Sequence, residues 1–385
     1  MAGNASIPHG RAAYNARTIA RGSRQLCLKG SKRLSAPVVT ERTAGAVPRM
    51  DSTVSGERRQ RVFSGIQPSG NFHIGNYLGA IRNWVTQQAL YENMFCIVDL
   101  HALSLPTTPD ALRRNTQSLA NILLASGLDP QQSIIFIQSD VREHAELCWL
   151  LNSVTQFGEL RRMTQFKDKG GGQDEGVSAA LFVYPVLQAA DILLYDTDLV
   201  PVGEDQKQHI ELTRDAASRF NARYGTTFVL PKPDIKPEGA RIMALDDPTV
   251  KMSKSAASPN NYIALSDDAD TIRRKVRRAV TDSGSDVTAG PDKPALTNLL
   301  TIFGLFTSQS ISSVEEQYAG KGYGAFKTDL AEVVVDALSP IQQRLAELEA
   351  NPTAARDVLT AGADRAREQA SAKMAHVRER MGLGL

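Results

Sequence analysis

The feature that most constrains the fold of this chain is an alternation of strand-like and helix-like segments between about residues 61 and 240. Four runs are rich in apolar residues, many of them β-branched or aromatic, as buried strands are: 61–66, 94–98, 133–138 and a short run near 199–202. A segment with helical periodicity follows each run. Parallel strands need such crossover connections, so the pattern predicts an α/β fold built on a parallel sheet.

Composition places the chain among ordinary globular proteins. It has 385 residues, of which 42% are hydrophobic and 22% charged. No apolar run approaches the roughly 20 residues that span a bilayer, so we expect no membrane partner. The cysteines Cys27, Cys96 and Cys148 have neither zinc-ligand spacing nor the pattern of a disulfide framework, which favours a reducing compartment.

The N-terminal segment, residues 1–58, differs in charge from the rest of the chain. Residues 1–40 hold seven Lys or Arg and no Asp or Glu. This composition predicts an organellar transit peptide, and a basic tail that contacts RNA is the alternative. We expect the mitochondrial matrix, with plastid or dual targeting open and Met50 as a second possible start. Residues 41–385 hold 37 basic and 42 acidic residues, so RNA would need local basic surfaces.

A glycine-rich turn at residues 65–76 connects the first strand to a helical run at 77–84. Small residues let the backbone approach a nucleotide, and the start of a helix offers free N–H groups to phosphate. His73 and Asn76 can add side-chain donors at this turn. The segment therefore predicts a nucleotide phosphate site.

A second cationic segment at residues 251–255 reads Lys-Met-Ser-Lys-Ser and follows a turn-forming run at 246–249. Two ammonium groups can close over a polyphosphate and neutralise charge while a phosphorus–oxygen bond breaks. A solvated surface loop with two ordinary lysines is the alternative for such a short motif taken alone.

Together, these two segments resemble the signature motifs of class I aminoacyl-tRNA synthetases, His-Ile-Gly-His and Lys-Met-Ser-Lys-Ser. Asn76 replaces the second histidine, as is frequent in the tryptophan-specific, bacterial and organellar type that the chain resembles over about residues 61–385. The resemblance implies a Rossmann-like catalytic domain and a C-terminal α-helical domain. It also implies tryptophan and its tRNA as substrates, ATP with Mg²⁺ on its phosphates, and a homodimer. Because the cysteines lack zinc-ligand spacing and none lies beyond Cys148, we expect neither protein-bound zinc nor the iron–sulfur cluster that some relatives carry in the C-terminal part.

The resemblance implies roles for individual residues around ATP. The catalytic residues would be His73, Asn76, Lys251 and Lys254, which hold the phosphates from two sides. Positions that bind ATP, including Ile242 beside the adenine, would be Gln67, Pro68, Ser69, Gly75, Asn76, Gly203, Glu204, Asp205, Ile242, Lys251, Met252, Ser253, Lys254 and Ser255.

The amino-acid pocket is expected on a helical run at 179–194, where Tyr184, Gln188 and Asp191 share one face. Pro185 should kink this helix or start its second half. Asp191 lies among apolar residues and needs a partner, and the residues alone leave a purely structural carboxylate equally open. The resemblance implies that Asp191 accepts the indole N–H, a donor-only group.

Further pocket residues come from the run 202–215, a glycine followed by acids that suit a helix N-terminus. The resemblance places Gly203, Glu204 and Asp205 at the ATP ribose. It places Gln206 near the ammonium group of the amino acid, and Phe63 in the tryptophan pocket. His209 has no second ligand at helical spacing, so we expect a helix histidine and no metal site.

The remaining chain is predicted to be helical. Residues 267–278 place acids at the start of a helix and five bases along it, which suits the helix dipole or an RNA backbone. The expected division is a transit peptide at 1–58, a catalytic domain at 59–245, the lysine loop and basic helix at 246–295, and a helical anticodon-binding region at 296–385.

Three alternatives to a tryptophan-specific ligase remain open. A tyrosine-specific synthetase would share the fold and the lysine loop, although Asp191 between aliphatic residues suits indole better than phenol. A small-molecule nucleotidyltransferase would have little use for the long C-terminal helices. A non-catalytic RNA-binding relative would be expected to have lost the motifs that stand intact here.

Overall fold

The computed structural model describes residues 58–70, 72–164, 178–235, 241–253 and 258–384, with the side chain of Asp205 outside the description. Apart from Arg58, the predicted transit peptide lies outside these residues. Within the part of the chain that the structure describes, no helix is long and apolar enough to cross a bilayer.

The described residues form a five-stranded parallel sheet in the order β3-β2-β1-β4-β5. Its strands are β1 Arg61–Ile66, β2 Glu92–Ile97, β3 Ser133–Ile137, β4 Leu199–Pro201 and β5 Lys232–Asp234. The four strands expected from the sequence are present. The edge strand β5 was not predicted, because Lys-Pro-Asp has no strand-like pattern.

Helices connect and cover the strands. The first, α1, combines turns of different pitch at Ile74–Asn76, Tyr77–Ile81 and Arg82–Gln87. The other helices of the described residues are α2 Asp99–Ala102, α3 Pro109–Ala125, α4 Glu143–Leu151, α5 Phe157–Arg162, α6 Ala179–Leu193, α7 Lys207–Tyr224, α8 Ala269–Arg278, α9 Pro294–Thr307, α10 Ile311–Tyr318, α11 Gly322–Ala350 and α12 Pro352–Met381.

Local capping explains several helix starts. The side chains of Thr108, Ser178 and Asp268 accept hydrogen bonds from backbone N–H groups in the first turns of α3, α6 and α8. The helix α6 runs through Pro185 as one element, so the proline does not divide it.

Both faces of the sheet are buried, as a doubly wound fold requires. Along β2, Met94 and Cys96 pack into one hydrophobic cluster with α4, α6, α7 and α12. Phe95 and Ile97 point to the opposite face and pack into a second cluster with α1, α3, α9 and α11. The α/β fold class with a helical C-terminal part is therefore confirmed.

The last helix returns to the sheet. In α12, a Cβ atom added at Gly362 would lie 1.9 Å from the carbonyl oxygen of Ile135, so only glycine permits this approach to the edge strand β3. Ala363, Ala366 and Ala370 continue the small-residue side of α12 inside the core. The division of the chain into four segments expected from the sequence stays a prediction.

Candidate active site

Two turns meet at the carboxyl edge of the sheet, where the strand order changes direction between β1 and β4. Ligands of open α/β sheets bind at such a switch point. The strand β1 leads into residues 67–73 and then α1. The neighbouring strand β4 leads into Val202 and Gly203 and then the short 3₁₀ turn Glu204–Gln206. The fold thus brings the predicted phosphate turn and the Gly203 segment to one edge.

The helix start at His73 is closed by local hydrogen bonds. The backbone N–H of His73 donates to Asn76 Oδ1 at 3.1 Å, and the backbone N–H of Asn76 donates to the His73 carbonyl at 2.9 Å. This use of Oδ1 leaves the amide Nδ2 of the exposed Asn76 as a donor for a ligand. A Cβ at Gly75 would lie 2.9 Å from His73 Nδ1, so glycine makes room for the imidazole.

The lysine loop is tied to the same region at its base. Lys251 forms an isolated β-bridge with Met243, and Met252 N donates to the Ile242 carbonyl at 3.0 Å. A second bridge joins His73 to Ala264, just beyond the loop. The charge of Lys251 acts on the His73 imidazole, so the base of the loop and the helix start belong to one region. Lys254 and Ser255 lie outside the described residues.

Two predicted ATP-binding side chains belong to the core in this structure. Ile242 and Met252 are each only 2% exposed and pack in the hydrophobic cluster beside the sheet. Pro68 is also buried, while Gln67 and Ser69 are exposed. The roles of all these residues toward ATP stay predictions.

His73 combines burial with a nearby positive charge. Burial first, and the charge of Lys251 second, lower its pKa to about 4, so the imidazole is neutral at pH 7. Its Nδ1 atom is buried and has no hydrogen-bond partner among the described residues. An unpaired buried polar atom costs about 1–3 kcal/mol, so this atom is a candidate for contact with a ligand.

Asp191 lies on α6 and is 1% exposed, but it is not isolated. Gln138 Nε2 donates to its Oδ1 at 2.7 Å, and His144 Nδ1 lies 2.6 Å from the same oxygen. His101 Nε2 lies 2.8 Å from Oδ2. Burial alone would raise the pKa of Asp191, but the two histidines outweigh it and lower the pKa to about 2. The carboxylate is therefore ionised at neutral pH.

These three partners were missed by reasoning from the sequence. His101 follows the end of β2 closely, Gln138 directly follows β3, and His144 is in the next helix. Polar residues at the carboxyl ends of neighbouring parallel strands converge on one edge of a sheet. That rule could have found His101 and Gln138, whereas the sequence offered no comparable signal for His144.

Of the other predicted tryptophan-binding residues, Tyr184 and Gln188 lie on α6 with Asp191, Gln206 ends the 3₁₀ turn before α7, and Phe63 lies in β1. Tyr184 Oη lies 2.8 Å from His209 Nε2, as expected for a satisfied helix histidine, and burial raises the pKa of Tyr184 to about 12. Gln188 and Gln206 are half-buried. Phe63 is 3% exposed and stacks on Tyr195 with ring centroids 5.8 Å apart. The roles of these four predicted residues toward tryptophan stay predictions.

A parallel sheet with a phosphate-type turn at its switch point and a lysine loop beside it defines a nucleotide-binding catalytic domain. Residues 55–339 match the model of the family described as tRNA synthetases class I (W and Y). The chain belongs to this family, and the resemblance found in the sequence motifs is confirmed.

Individual relatives agree with this family. The chain is 54% identical to a tryptophan–tRNA ligase of Caldanaerobacter subterraneus subsp. tengcongensis over 325 residues, which cover 84% of this chain and 98% of that relative. It is 51% identical to a tryptophan–tRNA ligase of Wolinella succinogenes, covering 84% of this chain and 99% of that relative.

Solved structures give the same result. A tryptophanyl-tRNA synthetase of Campylobacter jejuni, complexed with ADP and tryptophan, is 37% identical, with a TM-score of 0.74 over 84% of this chain and 100% of that one. A tyrosyl-tRNA synthetase of Archaeoglobus fulgidus, complexed with L-tyrosine, is 21% identical, with a TM-score of 0.60 over 75% of this chain and 91% of that one. At that identity the second likeness shows the fold alone.

Proposed function

We propose that this chain is a tryptophan–tRNA ligase. It activates L-tryptophan with ATP to tryptophanyl-adenylate, releases pyrophosphate, and then transfers the tryptophanyl group to its tRNA. The observation that carries the amino-acid assignment is Asp191, an ionised acceptor at the carboxyl edge of the sheet within an apolar helix. The identity of 54% to a relative of that activity supports it.

In the first step, a carboxylate oxygen of tryptophan attacks the α-phosphorus of ATP in line. The bond between this phosphorus and the bridging oxygen breaks, and its electron pair leaves with Mg²⁺-pyrophosphate. The protein supplies positioning and charge stabilisation and forms no covalent bond. His73, as a neutral donor, and Asn76 contact phosphate from the helix start, while Lys251 and Lys254 neutralise the developing charge.

In the second step, a hydroxyl of the terminal ribose of the tRNA attacks the carbonyl carbon of the adenylate. The tryptophanyl ester forms and AMP leaves with the electron pair of the broken bond. Gly203, Glu204 and Asp205 hold the ribose of the nucleotide through both steps. The Mg²⁺ ion enters with the ATP phosphates. Among the described residues, no group of three or more His, Cys, Asp or Glu side chains is arranged to hold a metal ion.

Recognition of tryptophan depends on the chemistry of indole. The indole nitrogen only donates, so a carboxylate that only accepts is its complement. In this proposal, Tyr184, Gln188 and Gln206 bind the ammonium end of the amino acid. The phenol of tyrosine both donates and accepts, and a pocket for it needs a different pair of polar groups.

The test replaces the acceptor and changes the substrate in parallel. With Asp191→Ala, kcat/KM for tryptophan should fall far more than kcat/KM for L-β-(3-benzothienyl)alanine, in which sulfur replaces the indole N–H. Only tryptophan then leaves a buried donor unpaired. Charging of tRNA with radiolabelled tryptophan by the wild-type chain is the positive control. Equal losses for both substrates would mean that Asp191 is purely structural.

A homodimer is part of the proposal. Two large aromatic side chains, Trp149 on α4 and Phe157 at the start of α5, are 77% and 70% exposed. Aromatic side chains are enriched at protein interfaces relative to the rest of the surface. Sedimentation equilibrium should give twice the chain mass, and Trp149→Glu should shift the protein toward the monomer. A wild-type monomer at micromolar concentration would contradict this part.

Mitochondrial targeting is also proposed, with plastid or dual targeting as the alternative. The basic composition of residues 1–40 supports it, as does the start of the family match at residue 55. A fluorescent protein fused after residue 58 should enter mitochondria and lose the segment by cleavage. A fusion that stays in the cytosol would contradict the proposal.

A further inference from the structure

The two oxygens of the Asp191 carboxylate have different numbers of hydrogen-bond donors. Its Oδ1 atom has two donors, Gln138 Nε2 at 2.7 Å and His144 Nδ1 at 2.6 Å, whereas Oδ2 has His101 Nε2 at 2.8 Å. A carboxylate offers about four accepting positions, two on each oxygen. Oδ1 is therefore fully occupied, and the accepting position that remains belongs to Oδ2.

The orientation of the Gln138 amide is determined at both of its ends. Its Oε1 accepts a hydrogen bond from the backbone N–H of Leu100 at 3.2 Å, in the segment that follows β2. Its Nε2 must therefore be the atom that meets Asp191. Gln138 is 0% exposed, so water does not compete for the hydrogen bonds of this amide.

The tautomer of His144 is determined in a similar way. Nδ1 faces an anionic acceptor and so carries a proton, and Nε2 lies 2.8 Å from Tyr195 Oη. With the proton on Nδ1, Nε2 is the acceptor for the phenol proton, and both buried groups are satisfied. His144 is 0% and Tyr195 1% exposed, so water cannot replace this acceptor.

The oxygen that remains available faces the predicted pocket. His101, which contacts Oδ2, has a side chain that is 12% exposed, more than that of Asp191 or His144. Its ring lies edge-on to Tyr184 with centroids 6.1 Å apart. Oδ2 therefore lies on the side of Asp191 that carries Tyr184, while Oδ1 lies toward the closed core.

We propose that Gln138, His144 and Tyr195 are positioning residues for amino-acid specificity. The first two hold Oδ1 of Asp191 so that Oδ2 is presented to the indole N–H, and Tyr195 holds His144 in the tautomer that donates. This inference deepens the proposed function and rests on it. None of the three residues needs to touch tryptophan.

Two variants remove one donor each from Oδ1. His144→Leu and Gln138→Met keep apolar volume but leave this oxygen underoccupied, so the carboxylate can turn and its hydrogen bond to indole weakens. We expect the ratio of kcat/KM for tryptophan to kcat/KM for L-β-(3-benzothienyl)alanine, measured by ATP–pyrophosphate exchange, to fall about 10- to 100-fold. The change should appear mainly in KM for tryptophan. Tyr195→Phe should lower the ratio less, since the Nδ1 donor remains.

Two further variants separate positioning from packing. His144→Asn should restore most of the ratio lost in His144→Leu, because the Asn amide nitrogen can take the place of Nδ1. Phe136→Leu disturbs the same cluster, since the Phe136 ring lies 5.9 Å from the rings of both His144 and Tyr195, but it removes no donor. Phe136→Leu should change kcat/KM by the same factor for the two substrates.

The outcomes distinguish this inference from the proposed function. Suppose that the wild-type chain exchanges with tryptophan. If the donor-removing variants then lower kcat/KM equally for both substrates, or if His144→Asn fails to restore the ratio, the inference is wrong and the function stands. If the wild-type chain fails to exchange with tryptophan, both are wrong. Gln138→Met decides the question if His144→Leu does not fold.

Discussion

At the scale of the residue, His73 and Asp191 show how burial and charge act in opposite directions on two groups of one site. Burial and the charge of Lys251 both disfavour a second proton on His73. For Asp191, burial disfavours the charged form, but the donors around it favour that form more strongly. The result at neutral pH is a neutral donor where phosphate is expected and an anionic acceptor where indole is expected.

The low pKa of His73 predicts a pH dependence of stability. The imidazole has a pKa of 6.5 when unperturbed and about 4 in the fold, so between these values the unfolded chain binds more protons. The stabilising contribution of neutral His73 is therefore complete above pH 6.5 and is lost as the pH falls toward 4. The free energy of unfolding, measured with urea from pH 7 to 4, should fall more steeply for the wild type than for His73→Gln. The difference in slope should correspond to the uptake of at most one proton on unfolding. Parallel pH profiles would contradict the assignment.

The sequence indicated Asp191 but not its surroundings. Helical spacing placed Asp191 and Tyr184 on one face, and the apolar neighbours of Asp191 signalled that it needed partners. Those partners, His101, Gln138 and His144, come from other elements 90, 53 and 47 positions away. Such pairings depend on the register of the sheet and on helix packing, which local periodicity does not contain.

At the scale of the element, the lysine loop derives its position from its base. The bridge of Lys251 to Met243, the burial of Met252 and the bond from Asn261 Nδ2 to the Ser253 carbonyl at 2.9 Å hold the described part of the loop against the core. The motif alone predicted a cationic segment. Its attachment beside His73 required the structure.

Removal of one loop charge should slow activation without preventing binding of tryptophan. Lys251→Ala should lower the single-turnover rate of adenylate formation by about 10²- to 10³-fold, by analogy with the loss of other transition-state donors. Lys321→Ala, an exposed lysine beside the ring of Tyr318 in the helical part, is the matched control. A rate close to that of the wild type for Lys251→Ala would mean that the loop does not stabilise the transition state.

The basic side chains of α8 fall into two groups. Arg273 donates to Glu332, and Lys275 pairs with Asp267 at 2.6 Å, so these two cations hold the fold. Arg277 and Arg278 are exposed, and no carboxylate among the described residues lies within ion-pair distance of either. This free charge is suited to an RNA backbone.

A charge reversal on that face tests the RNA contact. Arg277→Glu combined with Arg278→Glu should raise KM for tRNA severalfold and reduce the salt dependence of charging. ATP–pyrophosphate exchange, which needs no tRNA, should be unchanged. The reversal of Arg356 and Arg344, on other helices, controls for net charge. Equal KM values for tRNA in all these proteins would show that α8 does not contact it.

At the scale of the whole molecule, the C-terminal helix α12 is part of the sheet domain as well as the end of the chain. Arg378 is paired with Glu146, and Lys373 with Asp196 at 2.6 Å, which ties α12 to the catalytic half of the described structure. The sequence predicted a helix here, but not its contact with β3. In the sequence, Gly362 among small residues indicated a close contact of this helix. The structure was needed to show that the contact is with the Ile135 carbonyl.

The contact of α12 with β3 predicts a stability difference between two helical glycines. Gly362→Ala should destabilise the protein by about 1–3 kcal/mol, because the new methyl group collides with the Ile135 carbonyl. Gly324→Ala, in α11 with no atom within 4 Å of the added Cβ, should be neutral or stabilise by about 0.5–1 kcal/mol. Equal unfolding midpoints in urea would contradict the close docking of α12.

The central claim is that the carboxyl edge of this sheet activates tryptophan, and amino-acid-dependent ATP–pyrophosphate exchange tests it most directly. The full chain should exchange label with tryptophan and not with tyrosine at the same concentration. Exchange with tyrosine would keep the fold and the lysine-loop mechanism but contradict the role of Asp191. Exchange with neither amino acid would contradict the catalytic account as a whole.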